Sequence, residues 1–294
     1  MRLSLALAVV VAGVVFAVAE QPPASARGRD TVRVATFNIH KGADNDNHYD
    51  LQRTIATIAA FDADLVGLQE VLRNHAQFNC DDQAARIADG LMRLTNRKWM
   101  YVYVKSWVAD DRTCMDGGRG SDVESEGVAF FAPQRIVGDH IRLAESRIGL
   151  VARLASLPEL PVVVTHLAAS RRNQAHREQQ IAALLPWAEA AGAAILMGDL
   201  NARPEATELI PLFARYRDAW LEGTERDVAT GVTTGSTRPG IQARIDYVFY
   251  DPSRALTLDS IEIRETATED HAEVSDHRPV IATFRIPARA RSSQ

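Results

Sequence analysis

Cysteine is scarce in this sequence, and so is any sign of a thiolate metal centre. Only two cysteines occur in 294 residues, Cys80 and Cys114, and neither is clustered with histidine. Nothing therefore indicates a zinc site of the cysteine–histidine type. Positive charge is not in excess either, because 33 Lys and Arg residues stand against 38 Asp and Glu residues, for a net charge of −5. This balance gives no sign of a broad basic face for nucleic acid, although a metal site and a few local arginines or lysines can still hold phosphate.

The sequence has no internal repeat, low-complexity segment or linker break, and its one long apolar run lies at the N-terminus. Residues 3–18 are apolar, and Ala17-Val18-Ala19 fits the pattern of signal-peptide cleavage, with Ala24-Ser25-Ala26 as a second candidate. An uncleaved anchor is the alternative, but the run is short for a membrane span. We therefore expect a secreted or periplasmic protein with no membrane span after processing, and a monomer. Residues 1–19 (or 1–26) would be the signal peptide, 20–30 a flexible leader and 288–294 a frayed tail.

An even number of cysteines in an exported protein favours a disulfide bond. Cys80 and Cys114 both lie in polar, loop-like sequence, and a bond between them would restrain a long stretch of chain. Two free thiols are the alternative. Residues 109–125, rich in Asp, Gly and Ser, are expected to form a surface loop near the functional site.

Short apolar runs separated by polar breaks recur throughout residues 31–287. Residues 31–37 alternate and are rich in β-branched side chains, which is typical of a strand. Helical spacing of apolar residues is found in only a few longer segments, such as 49–61 and 174–191. Many strands with few helices between them predict a single α+β domain with two packed sheets.

Polar residues that can bind a metal ion or a phosphate follow these strands at the points where the strands end. They are Asn38, Glu70, His166, Asp199 with Asn201, Asp246, and Asp276 with His277. Loops at strand ends are where catalytic groups commonly sit on a rigid scaffold. Asp199 and Asn201 are two residues apart and would emerge together from an extended backbone. A polar turn is the other interpretation of this stretch, because Asp, Asn, Gly and Pro all favour turns.

The residue types at these positions indicate a specific chemistry. Glu70 and Asp276 carry carboxylates, the ligands that Mg²⁺, Mn²⁺ and Ca²⁺ prefer. His277 is the natural general base, because imidazole titrates near neutral pH. Asp199 with Asn201 can orient a water molecule and hydrogen-bond a phosphate.

The order of these motifs resembles the endonuclease/exonuclease/phosphatase superfamily, which includes DNase I-like nucleases, exonuclease III-like repair enzymes, bacterial sphingomyelinases and inositol phosphatases. The motifs are Thr36-Phe37-Asn38, Leu68-Gln69-Glu70-Val71, Thr165-His166-Leu167, Gly198-Asp199-Leu200-Asn201, Ile245-Asp246-Tyr247-Val248 and Ser275-Asp276-His277-Arg278-Pro279. Each is weak alone, but all six in this order are specific, and they extend over about residues 31–286. The resemblance implies a four-layer α/β/β/α sandwich of two mostly antiparallel sheets, with the site in a cleft at one edge.

The resemblance also implies roles for the site residues. Glu70 is expected to be the main metal ligand, helped by Asn38 and Asp276. Asp246 is expected to orient His277, which would take a proton from water. Asp199 would orient that water or hold a second metal ion, and Asn201 and His166 would hydrogen-bond the phosphate oxygens. Glu126 occupies a position where some members place a carboxylate that pairs with the second histidine, here His166.

The sequence departs from the exonuclease III-like pattern next to the first asparagine, where His40 replaces an acidic residue. With Lys41 it forms a positive spot that could hold a substrate phosphate, and solvated loop residues are the alternative. Three arginines lie near the start of one helix, Arg171, Arg172 and Arg177; they could bind phosphate, but we expect them on a solvated face.

The function predicted from these features is an exported phosphoesterase that depends on Mg²⁺, or on Mn²⁺ or Ca²⁺. A phosphodiesterase or nuclease is favoured, and its substrate would be a phosphoester such as nucleic acid or phospholipid. A phosphatase, or a phospholipase of the sphingomyelinase or inositol-phosphate type, is the alternative on the same scaffold. A catalytically silent binding module is the alternative from another class.

Overall fold

The computed structural model describes residues 30–108, 114, 124–169 and 173–286. The predicted signal peptide, the tail 288–294, most of the leader and of the 109–125 loop, and Arg171 and Arg172 lie outside the described residues. Within the described residues, the strands are β1 (Thr31–Asn38), β2 (Leu65–Arg73), β3 (Met100–Val108), β4 (Ser125–Ala132), β5 (Ile136–Leu143), β6 (Arg147–Leu154), β7 (Leu157–His166), β8 (Ile195–Asp199), β9 (Arg217–Asp218), β10 (Ala229–Gly231), β11 (Asp246–Tyr250), β12 (Thr257–Ile263) and β13 (Val280–Arg285). The α-helices are α1 (Leu51–Ala60), α2 (Gln83–Thr95), α3 (Gln174–Ala190), α4 (Ile210–Arg215) and α5 (Ala219–Glu225).

The described strands form two mixed sheets that are mostly antiparallel. The first sheet has seven strands in the order β10-β12-β13-β1-β2-β4-β3, and the second has six in the order β5-β6-β7-β8-β11-β9. The parallel pairs are β1 with β2, β10 with β12, and β7 with β8. The predicted α+β fold with two packed sheets is confirmed.

Apolar side chains define the layers of the sandwich. One cluster, which includes Val34, Phe130 and Met197, fills the space between the two sheets. On the outer face of the first sheet, Ile55 of α1 and Leu91 of α2 belong to a second cluster. On the outer face of the second sheet, α3 and α4 contribute to a third cluster. Burial of apolar area, at about 25 cal/mol per Å², therefore holds helix, sheet, sheet and helix together in that order.

Side-chain capping fixes where the two helices on the first sheet begin. Asp50 accepts a hydrogen bond from the backbone N–H of Arg53, and Asp82 accepts one from the backbone N–H of Ala85. Each carboxylate satisfies an N–H that has no partner inside its helix. No helix in the described part of the chain is long and apolar enough to cross a membrane.

Two cysteines and one arginine also have defined places in this fold. Cys80 and Cys114 are joined by the predicted disulfide bond. The prediction that Arg177 lies on a solvated face is wrong, because its side chain is only 5% exposed. Its guanidinium pairs with Glu208 at 2.7 Å and donates to the Ala168 carbonyl oxygen at 3.1 Å. A charge can remain buried when it is paired and hydrogen-bonded in this way.

Candidate active site

The side chains that fill the space between the sheets become polar at one end of the strands. Along β1, Val32 and Val34 belong to the inter-sheet core, and Asn38 ends the strand. The same alternation places His166 after Val162 and Val164 in β7, and Asp199 after Ile195 and Met197 in β8. Asp246 stands at the start of β11 before core residues Val248 and Tyr250, and Glu126 stands near the start of β4 before Val128 and Phe130. Because side chains alternate between the two faces of a strand, these polar groups face the same edge of the sandwich.

Strand register brings three of these groups into one row of the second sheet. His166 is the parallel partner of Asp199, and Asp246 is its antiparallel partner. Residues directly opposite each other on neighbouring strands lie side by side on one face. All three side chains are buried.

Glu70 reaches the site because β2 is irregular at this point. The pairing of β2 with β4 shifts register between Leu68 and Val71, and Glu70 has a φ of 54°. Leu68 and Val71 both belong to the outer cluster, so regular alternation is broken between them. A β-bulge changes the direction in which side chains point, and bulges are common next to functional sites. Here it allows the Glu70 carboxylate to accept a hydrogen bond from Nδ2 of Asn38 at 3.1 Å.

His277 and Asp246 form a buried pair that joins the two sheets. Nδ1 of His277 lies 2.8 Å from Oδ2 of Asp246, and both residues are at most 2% exposed. Ser275 fixes the segment before β13, because its hydroxyl donates to the Asn38 carbonyl oxygen and accepts from the His277 N–H. On the other side, the Thr237 hydroxyl accepts from the backbone N–H of Asp246 at 3.3 Å. The carboxylate fixes the ring so that Nε2 points away from Asp246.

Asp199 lies at the centre of the site. Its Oδ2 accepts from Nδ2 of Asn38 at 3.0 Å, and its Oδ1 accepts from the Asn201 backbone N–H at 2.8 Å. Nε2 of His166 lies 3.5 Å from Oδ2 of Asp199, and Nε2 of His277 lies 3.6 Å from the same oxygen. Both imidazoles and the carboxylate therefore surround one small volume.

Burial and neighbouring charge shift the ionisation of these groups. Burial raises the pKa of Asp199 to about 7, and His277 opposes that rise. For His277, burial lowers the pKa, but the charges of Asp246 and Asp199 and the hydrogen bond to Asp246 outweigh it and raise the pKa to about 9. For His166, burial and then the positive charge of Arg147 hold the pKa well below its usual range. His166 is therefore a neutral ring near pH 7, whereas His277 is paired with negative charge.

Lys41 connects two further carboxylates at the edge of the site. Its Nζ lies 3.8 Å from Glu70 Oε2 and 3.7 Å from Glu126 Oε2. Burial, and then the charge of Glu70, raise the pKa of Glu126. Among the described residues Glu126 makes no hydrogen bond to His166, and Nδ1 of His166 instead lies 3.1 Å from Nη1 of Arg147. The strand pairing explains the difference, since Arg147 in β6 is next to β7, whereas Glu126 lies on the other sheet.

The remaining predicted residues also lie at this edge. Nδ2 of Asn201 lies 3.1 Å from His166 Nε2 and donates to the Leu167 carbonyl oxygen. Asp276 is on the segment that carries His277, and its Oδ1 lies 3.9 Å from Nδ1 of His40. The structure thus brings all the sequence-predicted catalytic, metal-binding and phosphate-binding residues together.

Two arginines in the site were missed by sequence reasoning. Nη1 of Arg238 lies 2.8 Å from Nε2 of His277, and its N–H donates to that nitrogen when the ring is neutral. Nη2 of Arg238 pairs with Asp276 Oδ2 at 3.0 Å. Arg147 contacts His166 as described above. Arg238 belongs to a loop rich in Thr, Gly and Arg, where no spacing distinguishes it from its neighbours, so its position depends on tertiary contacts.

The donor set fits a hard divalent cation. Oδ1 of Asp246 and Oδ1 of Asp276 are buried and accept no hydrogen bond from the described residues. One ligand atom from each of Asp199, Asp246 and His277 lies within 4.8 Å of the others. Buried carboxylate oxygens without a donor carry an unmet electrostatic demand, which a cation satisfies. Oxygen-rich ligation favours Mg²⁺, Mn²⁺ or Ca²⁺ over zinc.

Comparison with solved structures gives the same fold. A protein from Beutenbergia cavernae described as endonuclease/exonuclease/phosphatase is 22% identical, with a TM-score of 0.65 over 88% of this chain and 72% of that chain. The human nocturnin catalytic domain with a bound sulfate anion is 20% identical, with a TM-score of 0.62 over 91% of this chain and 99% of that one. A humanised D. rerio TDP2 is 18% identical, with a TM-score of 0.60 over 87% and 99%.

The search of curated proteins gave no match. The sequence model of the endonuclease/exonuclease/phosphatase family matches residues 35–277, which contain every residue of the candidate site. Members of that family hydrolyse phosphoesters with the help of divalent metal ions. On this match over most of its length, the chain belongs to the endonuclease/exonuclease/phosphatase family.

Proposed function

We propose that this protein is an exported phosphodiesterase that hydrolyses a P–O bond with water activated by His277. The observation that carries the proposal is the buried His277–Asp246 pair, in which Nε2 of His277 lies 3.6 Å from Asp199 in a site rich in carboxylates. Perturbed acids and bases that face one cleft are a mark of catalytic sites. Among the proteins of similar structure, the nocturnin catalytic domain binds a sulfate anion, which resembles a phosphate in shape and charge.

The geometry supports a role for each group in this reaction. Nδ1 of His277 donates to Asp246, so Nε2 of the neutral ring can accept the proton of the attacking water, and the imidazolium that forms stays paired. Because the pKa of His277 is raised to about 9, this neutral form, and with it turnover, should increase as the pH rises toward that value. Asp199, whose Oδ2 lies 3.6 Å from Nε2 of His277, would orient the attacking water. The water oxygen attacks phosphorus in line with the departing ester oxygen, which leaves with the bonding electrons and then takes up a proton.

Other residues bind the phosphate as negative charge develops. Nδ2 of Asn201 and the neutral ring of His166 supply hydrogen bonds to the phosphoryl oxygens. Glu70, Asn38 and Asp276 would hold a divalent cation, Mg²⁺ in the first instance, which supplies Lewis-acid stabilisation of that charge. The neighbouring cluster of Asp199, Asp246 and His277 is assigned to the attacking water and its base, not to this cation. Lys41, next to His40, adds a positive charge at the edge of the site.

The test of catalysis is hydrolysis of bis-(p-nitrophenyl) phosphate with Mg²⁺ or Mn²⁺. His277→Ala should lower kcat by about 10²–10⁴-fold, the usual contribution of a general base. The matched control is His140→Ala, an exposed histidine of β5. EDTA should abolish turnover, and Glu70→Ala should raise the metal concentration needed for activity. Unchanged turnover in His277→Ala, or in saturating EDTA, would contradict the proposal.

A panel of substrates separates the alternatives. Plasmid DNA and RNA test for a nuclease, sphingomyelin for a phospholipase, and inositol phosphates for a phosphatase. A protein that binds phosphate or sulfate but turns over none of these substrates would be a binding module on the same scaffold.

Export is part of the same proposal. The disulfide between Cys80 and Cys114 fits an oxidising compartment, and the apolar N-terminal run followed by small residues fits signal-peptide processing. N-terminal sequencing of the protein from culture medium or periplasm should begin at residue 20 or 27. Recovery of a chain that still begins at Met1 in the cytoplasm would reject this part, and light scattering tests the expected monomer.

A further inference from the structure

A cavity of about 870 Å³ opens beside the catalytic groups. Its walls come from the segment that follows β8, from the start of α3 and from the loop that leads into β11. Asn201 and Arg238 line this cavity and also contact His166 and His277. The cavity is therefore continuous with the position expected for the scissile phosphate, and its volume is within the range of small-molecule sites.

The cavity has an apolar lining and a polar rim. Its apolar residues are Ala202, Ala206, Ile241, Ala243 and Ile245. Ile241 is 54% exposed, so its side chain is open to a ligand in the cavity. Because apolar surface is more stable against carbon-rich groups than against water, this lining fits the organic group on one side of a phosphodiester, here called its arm.

The charged side chains that line the cavity indicate that the ligand carries an anionic group there. Arg177 is paired with Glu208, and Arg238 with Asp276. Arg203 is half-buried, lines the cavity, and makes no side-chain hydrogen bond or ion pair with any described residue. Glu205 also lines the cavity, but it is exposed and its charge is screened by water. Arg203 is thus a guanidinium available to an anion on the ligand, and its fork of donors matches a phosphate.

We propose that the cavity receives one arm of the substrate phosphodiester and that Arg203 binds a second phosphate carried by this arm. This inference rests on the proposed phosphodiesterase activity. Arg238 and Asn201 lie at the scissile phosphate, the arm lies over the apolar lining, and Arg203 contacts the far phosphate. The substrate class is therefore a diester with two phosphates separated by one organic unit, as in an oligonucleotide or a phosphorylated inositol diester.

Matched substrate pairs test this proposal. The first pair is the thymidine dinucleotide TpT without and with a terminal phosphate, at either end, and the second is glycerophosphoinositol without and with a phosphate on the inositol ring. The wild-type protein should show a kcat/KM about tenfold or more higher for the phosphate-bearing member of one pair, since charge-assisted hydrogen bonds contribute this much. The pair that shows the preference identifies the source of the substrate.

Arg203→Gln should bring that ratio close to one, whereas Arg93→Gln, on the exposed side of α2, should leave it unchanged. Melting curves of both variants check that they are folded. Equal kcat/KM values within both pairs for the wild-type protein, or a preference that survives in Arg203→Gln, would overturn the inference. Hydrolysis of no diester at all would instead reject the proposed function, so the two failures are distinguishable.

Discussion

Arg238 lies against the nitrogen of His277 that has to accept a proton. The guanidinium also pairs with Asp276, so it bridges the expected base and an expected metal ligand. A phosphate arriving in the site offers Arg238 a bidentate acceptor and would draw it away from His277. Arg238 is therefore suited to bind the scissile phosphate and to leave Nε2 free for water.

Replacing this arginine should reveal that role. Arg238→Ala should lower kcat/KM for a phosphodiester by about 10–100-fold, because a positive group near the developing charge is lost. Arg238→Lys should recover part of the loss, since it retains the charge without the fork. Arg226→Ala removes an exposed salt bridge to Glu222 on α5 and serves as the control. Steady-state kinetics in which Arg238→Ala matches wild type would count against the assignment.

Site residues could be predicted from the sequence where they stand directly before or after an apolar strand. Asp199, Asp246 and His166 each follow or begin an apolar run, so their convergence could be predicted. Arg238 could not, because loop conformation is set by contacts that no local pattern encodes. Arg177 was misread for a similar reason: its buried partner Glu208 is 31 residues away.

At the scale of the strand, Gly198 allows β7 and β8 to approach each other before the chain reaches Asp199. Its φ is 147°, and a Cβ atom at this position would lie 2.0 Å from the Thr165 carbonyl oxygen. Neither the backbone nor its parallel partner leaves room for a side chain. The close approach keeps Asp199 in register with His166.

Gly198→Ala should therefore cost about 2–4 kcal/mol of the free energy of unfolding, from the clash and the strained backbone together. Gly240→Ala is the matched control, since Gly240 has a φ of +72° but no atom within 4 Å of the added Cβ. It should show only the conformational cost of roughly 1–2 kcal/mol. Urea denaturation measures both values, and equal losses would show that the contact with Thr165 is unimportant.

A partly buried ion pair between Arg215 of α4 and Asp251, the residue after β11, should make a pH-dependent contribution to the free energy of unfolding. Asp251 accepts from Arg215 at 2.8 Å and from the Ser253 N–H and hydroxyl. The hydrogen bond to Arg215 holds the pKa of Asp251 well below its usual range. Because the folded-state pKa is depressed, this stabilisation is present above the unfolded pKa of about 3.9 and is lost as the pH falls below it.

Asp251→Asn should therefore lower the free energy of unfolding by about 1–3 kcal/mol at pH 7. The difference from wild type should shrink as the pH falls below about 4, because Asp251 of the unfolded chain then becomes protonated while the folded-state carboxylate still resists protonation. Asp259→Asn, which removes an exposed pair with Arg285, should change stability by less than about 1 kcal/mol at either pH. Denaturation curves across this pH range supply the measurement. A difference that is constant with pH would contradict the linkage.

Element boundaries were predictable where periodicity was strong. β1, β8 and β11 lie close to their predicted positions, because their apolar residues fill the inter-sheet core. The bulge at Glu70 was not predictable, since it depends on how β2 pairs with β4. Local sequence does not encode that register.

At the scale of the whole molecule, one covalent bond joins distant parts of the chain. Cys80 lies before α2, and Cys114 lies between β3 and β4, with a sequence separation of 34. The two-sheet domain was predictable from the number of strands, and the pairing because only two cysteines are present. The order of the strands was not predictable from composition or periodicity.

Reducing this bond should lower the free energy of unfolding by about 3–4 kcal/mol, if loop entropy dominates. Chemical denaturation with and without dithiothreitol measures the change. A variant carrying both Cys80→Ser and Cys114→Ser should have the lower stability and no response to the reductant. A wild-type protein unaffected by complete reduction would show that the non-covalent core already restrains this segment.

The acidic side chains crowded at one edge of the sandwich should affect the thermal stability of the protein. Asp199, Asp246 and Asp276 lie where the sheets end, and two of their oxygens have no donor among the described residues. Repulsion between these carboxylates opposes folding, so a divalent cation that binds only the native chain should stabilise the native state. At one hundred times its dissociation constant, such an ion should add about 2.7 kcal/mol to the unfolding free energy. Calorimetric melting curves recorded over a series of Mg²⁺ concentrations would measure this stabilisation, and its dependence on concentration would give the affinity of the site for the ion.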